Sequence, residues 1–98
     1  MYIIHSHIYK HIMKTFNDLE FKPHPMGIGV QARITFDNGF GASIVKGLYT
    51  YGGPEGLYEI AVLDKDGELT YDTPITNDVM GYLSSGEVTN IMKQVQEL

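Results

Sequence analysis

Cysteine is absent from the 98-residue sequence. Disulfide staples, zinc–thiolate sites, iron–sulfur clusters and thiol catalysis are therefore excluded, and the composition fits a reducing cytoplasm. Bases are scarce: seven lysines and arginines stand against twelve acids, a formal net charge of −5. They are spread along the chain, so the basic stripe that gives nucleic-acid binders their counterion-release affinity is missing, and no nucleic-acid partner is expected. The acids, in turn, are too dilute for a convincing nucleic-acid mimic. No apolar run approaches the length of a membrane span, so no membrane partner is expected either. The N-terminus lacks the cationic segment and apolar stretch of a secretory signal, and a cytoplasmic location is the expectation.

What is present describes one modest globular core. Hydrophobic residues make up 43% and charged residues 19% of the chain, which argues against disorder and for a single domain. The first twelve residues stand apart. Met1 to Ile12 holds His5, His7 and His11, four isoleucines and no acid, and Met13-Lys14-Thr15-Phe16 then reads as an ordinary start. Two readings stay open: a dispensable leader, or an extra helix in which Ile4, Ile8, Ile12, Phe16 and Leu19 stripe one face. Residues 13–98 form the domain proper.

Period-two alternation dominates from Leu19 onward. Leu19, Phe21 and Pro23 suggest a short strand ended by Pro23-His24-Pro25. Val30, Ala32, Ile34 and Phe36 alternate with polar residues, and Asp37-Asn38-Gly39 follows as a hairpin signal suited to a tight type I′ turn. The return strand is read from Phe40 to Tyr51, with Gly47 as a bulge or a close backbone approach. A glycine-rich loop, Tyr51 to Gly56, leads to a strand over Leu57–Leu63. Asp64 to Gly67 turns the chain, Leu69 to Tyr71 starts a last short strand, and Thr76 to Leu83 is read as one helical turn.

The C-terminus is helical. Ser84 and Glu87 match a capping box, and Val88, Ile91, Met92, Val95 and Leu98 recur at i, i+3, i+4, i+7 and i+10. Burying such a stripe at about 1.5–3 kcal/mol per side chain requires a partner surface. The expected fold is α+β: a four- to five-stranded, mainly antiparallel sheet with this helix packed on one face. Association of two copies through a sheet edge or the helix face would cover what so small a sheet leaves open.

No motif carries a reaction. His7 and His11 have the i, i+4 spacing of metal ligands, but no carboxylate precedes Asp18, so an adventitious metal-binding leader is the better account and no metal site is expected. Asp64-x-Asp66-Gly67 fails the calcium-loop order. Gly27 and Gly29 do not extend to a dinucleotide fingerprint, and Ser43 lacks the closing glycine of a nucleophile elbow. No catalytic residue and no cofactor is assigned. Binding is better served: Tyr49, Tyr51 and Tyr58 surround the glycine-rich loop, and tyrosine joins large contact area to a polar handle. Asp72 and Asp78 bracket a polar connector that reads either as a recognition loop or as a strand exit and helix cap.

Phe21-Lys22-Pro23-His24-Pro25, Asp37-Asn38-Gly39-Phe40-Gly41, Tyr71 to Val79 and the ending Met92-Lys93-Gln94-Val95-Gln96 resemble a group of short tailed-bacteriophage proteins to which no activity is assigned. The resemblance covers Met13 to Leu98 and implies a setting: a small accessory protein in an infected bacterium, of the kind that alters a host protein or counters a host defence. The functional expectation is a non-enzymatic binding protein with a host protein as partner, using Tyr49, Tyr51, Tyr58, Asp72 and Asp78. The alternative is a binder that sequesters a nucleotide-like ligand, with Arg33, Lys46 and His24 meeting phosphate. A virion component or an enzyme is less favoured.

Overall fold

A computed structural model describes residues 13–76 and 78–98. The leader or helix expected over Met1 to Ile12, and the trio His5, His7 and His11, lie outside the described residues. Five strands form one antiparallel sheet in sequence order: β1 (Lys22–Pro23), β2 (Gly29–Thr35), β3 (Gly41–Gly47), β4 (Tyr58–Leu63) and β5 (Met80–Leu83). The one α-helix among the described residues, α1 (Ser85–Gln96), packs on one face. The α+β class, the antiparallel sheet and the C-terminal helix match the reading of the sequence.

Alternation places the two faces. Ala32 pairs with Ile44 and Ile44 with Ile60, while Ile34 pairs with Ala42 and Ala42 with Val62. Ala42, Ile44, Ile60 and Val62 meet Val88, Ile91, Met92 and Val95 of α1 in one core cluster, with Ile34 packed against it, and Ala32 is buried beside Ile44. Alanine at positions 32 and 42 keeps the sheet surface low where the helix side chains enter. The other face carries Gln31, Arg33, Ser43, Val45, Glu59 and Ala61, and among the described residues no helix lies over it.

The β2–β3 turn differs from a type I′ hairpin. Phe36 donates to the carbonyl of Phe40 at 2.7 Å, Gly39 donates to that of Phe36 at 2.9 Å, and Gly39 has φ +94°. Asn38 keeps negative φ. The connection is therefore a three-residue loop ending in a left-handed glycine, and Asp64 to Glu68 repeats it with Gly67 at φ +80°. Asn38 also donates to the Val95 carbonyl at 2.8 Å, which gives a partner to a helix-end carbonyl and ties the turn to α1.

Four further expectations are corrected. β3 stops at Gly47, because Leu48 to Tyr51 turns: Thr50 donates its amide to the Gly47 carbonyl at 3.3 Å. Met80 to Leu83 is a strand, not part of a helical turn, since Ile60 pairs with Met80 and Tyr58 with Leu83 across a bulge. Leu69 to Tyr71 contributes only an isolated bridge to Leu63. Lastly, no helix runs through Phe16 and Leu19. Thr15 is extended, Phe16–Asp18 is a 3₁₀ turn, and both side chains reach the core from it. This segment is strapped to α1, where Phe16 donates its amide to Thr89 Oγ1 at 2.9 Å.

The capping box is present. Ser84 Oγ accepts from the Glu87 amide at 3.2 Å, and Glu87 Oε1 accepts from the Ser84 amide at 2.8 Å. Those bonds hold the exposed Glu87 carboxyl below its ordinary pKa, the Ser84 amide contributing most. Ser84, the residue after β5, thereby caps α1, which fixes where the helix crosses the sheet.

Candidate functional site

Two loops meet at the end of the sheet where β1 and β3 finish, and glycine makes their contact possible. A Cβ on Gly47 would stand 1.8 Å from the Ile28 carbonyl oxygen, and one on Gly53 would stand 1.8 Å from the carbonyl oxygen of Gly47. Only hydrogen fits in either place. Thr50 clamps the junction: its hydroxyl accepts from the Gly47 amide at 2.9 Å and donates to the Gly47 carbonyl at 3.0 Å. On this backbone Leu48 is 75% and Tyr49 80% exposed, and Met26 of the facing loop is 78% exposed. Between the loops lies an open cleft of about 530 Å³, bordered by Gly27, Ile28, Lys46, Leu48 and Tyr49.

Tyr49 also borders a second cleft, of about 290 Å³, on the sheet face opposite α1. Small residues make it: Ser43, Val45 and Ala61 form the floor, while Ile28, Leu69 and Tyr49 stand around it with His24 and Glu59. Ser43 accepts from Gln31 Nε2 at 3.0 Å. His24 Nδ1 accepts from the Met26 amide at 3.1 Å, which leaves the Nε2–H free to donate. Glu59 Oε1 accepts from the Tyr51 amide at 2.9 Å.

Tyr51 continues the aromatic ridge. Its carbonyl accepts from the Tyr82 amide at 3.0 Å, and its Cβ lies against Gly81 with no room for a side chain there. Tyr82 has φ +57° and is the one non-glycine residue with positive φ among the described residues. A bulky residue in that region is strained, and here it stands exposed beside Tyr51. Tyr82, Leu48, Met26 and Glu59 were not singled out from sequence. A local signal existed for Leu48 alone: it follows a glycine and precedes a threonine that can close a turn.

The sequence-derived residues are not brought together as a set. Tyr49 and Tyr51 are exposed at the loop. Tyr58 is corrected: it faces the helix side and is half-buried, with ring centroids 5.0 Å from Phe16 and 5.6 Å from Phe21. Asp72 and Asp78 are exposed on the connector between the Leu69 bridge and β5, and neither borders the clefts at Tyr49. A phosphate site shared by Arg33, Lys46 and His24 is not formed. Arg33 is opposite Ser43 and Lys46 opposite Val30, so the two cations occupy opposite faces. Arg33 donates to the Gly67 carbonyl at 2.7 Å, and the Lys46 ammonium lies 4.9 Å from the Tyr58 ring centre.

Among the described residues no group of three or more histidines and acids is placed to hold a metal ion, and no helix is long and apolar enough to cross a membrane. No protein-family model, curated protein or solved structure matches the chain.

Proposed function

We propose that this chain is a non-enzymatic binding module that engages a partner protein through the ridge of Leu48, Tyr49, Tyr51 and Tyr82, with Met26 beside it. The observation that carries this reading is the exposure of Leu48 and Tyr49 on a loop whose backbone is locked. Large apolar side chains held rigidly in water gain free energy when a partner covers them, and a fixed loop loses little entropy on binding. Tyrosine suits the role because its ring supplies area and its hydroxyl keeps a partner at the rim. The likeness of Met13 to Leu98 to short tailed-phage proteins supplies the setting, a host protein bound in the cytoplasm of an infected bacterium.

The test is capture from bacterial lysate by the tagged full chain and by the Leu48→Ser/Tyr49→Ser variant. Both side chains are exposed, so the fold is expected to survive the change. Loss of an interface anchor costs about 2 kcal/mol or more, a roughly thirtyfold fall in affinity. A protein retained by the wild type and lost by the variant is the expected result. Identical retention by both chains refutes the assignment of this surface.

A further inference from the structure

The cleft over Ser43, Val45 and Ala61, on the sheet face opposite α1, sets an aromatic ring and a carboxylate around one floor of small residues, and that combination selects a charge. Tyr49 and Glu59 both border it, over Val45 and Ala61. The Tyr51 amide holds Oε1 of Glu59, which fixes the carboxylate in place. Oε2 has no hydrogen-bond partner among the described residues. A volume of about 290 Å³ takes one long side chain rather than a cofactor-sized ligand.

The surrounding charges agree. The chain carries a net charge of −5, which favours approach of a basic segment. Among the described residues, the cations on this face are directed elsewhere: Lys22 lies 3.5 Å from Glu20, and Arg33 is bonded to the Gly67 carbonyl. His24, on the β1 side of the same cleft, accepts the Met26 amide at Nδ1 and so has its proton on Nε2.

We infer that this cleft receives an arginine side chain of the partner. The inference rests on the protein-binding reading above and adds the partner's chemistry. The methylene stem lies over Val45 and Ala61. The flat guanidinium stacks on Tyr49 and donates to Glu59 Oε2, while His24 meets the segment's main chain.

The probe is N-acetyl-arginine methylamide, titrated into the ¹⁵N-labelled full chain and followed by amide chemical shifts. The citrulline analogue, equal in shape and uncharged, is titrated in parallel. Saturable shifts confined to Ser43, Val45, Glu59, Ala61 and Tyr49, with millimolar dissociation and absent for citrulline, are expected. Glu59→Gln keeps an oxygen for the Tyr51 amide and should bind arginine about tenfold more weakly. Equal shifts from arginine and citrulline, no saturable shift, or undiminished binding by Glu59→Gln overturns the inference. The wild-type comparison does not depend on the variant folding. Capture that depends on Leu48 and Tyr49 is a separate readout, so either idea can fail while the other stands.

Discussion

Ile44→Ala is expected to destabilise the domain by about 2–5 kcal/mol, a large part of the total for a chain of this size. Ile44 is wholly buried in the central strand, paired with Ala32 on one side and Ile60 on the other. Its neighbours give it no cheap relaxation. Ala32 and Ala42 are already as small as a core side chain can be, and α1 is held at its start by the Ser84–Glu87 box and near its end by Asn38. The cavity should therefore persist rather than collapse, which puts the cost above the transfer term alone. Urea unfolding followed by circular dichroism checks this through a lower midpoint at unchanged slope. A loss under about 1 kcal/mol would mean that the helix does not sit on Ile44.

Gly47→Ala is the second large effect, and it reaches the candidate surface as well as the fold. The added methyl meets the Ile28 carbonyl oxygen at 1.8 Å and the Gly29 Cα at 3.2 Å. Both are backbone atoms, so no rotamer change relieves the clash and the two loops must part. The expected cost is about 1–3 kcal/mol. Leu48 and Tyr49 move with the junction, so capture of the partner should weaken by more than the fraction unfolded explains. Gly56→Ala is the control: its Cβ meets nothing within 4 Å, though φ there is +79°, so it reports left-handed strain without the clash. If Gly47→Ala destabilises no more than Gly56→Ala, the close approach at Gly47 is not what fixes the loops.

Much of the fold is legible because its signals are local. The stripe Val88, Ile91, Met92, Val95 and the Ser84–Glu87 pair define α1 within fifteen residues of sequence. The alternation in β2 and β4 survives intact, and Tyr58 shares parity with Ile60 and Val62, which already assigns it to the buried side. β5 was not legible. Met80, Gly81 and Tyr82 carry no alternation, and only pairing with β4 makes them a strand. Tertiary pairing of this kind overrides weak local preference.

The divergence of Arg33 and Lys46 turns on one residue. A two-residue turn at Asn38-Gly39 would set Arg33 opposite Ile44 and leave both cations on one face. The three-residue loop instead sets Arg33 opposite Ser43, and a shift of one residue exchanges the faces. The apolar pattern supports the observed register, because it alone brings Ile34 against Ala42 and Phe36 against Phe40. The exposed ridge was less accessible from sequence. Tyr49 and Tyr51 stood out by type, whereas Tyr82 joins them through a backbone bond across the sheet edge.

Site-specific photo-crosslinking tests the central claim most directly. A benzoylphenylalanine placed at Tyr49 of the full chain, expressed in bacteria and irradiated, is compared with the same residue at Lys93 on the exposed side of α1. The account predicts one discrete adduct from position 49 and none of that mass from position 93. No adduct at 49, or the same adducts from both positions, would contradict a partner surface centred on Tyr49.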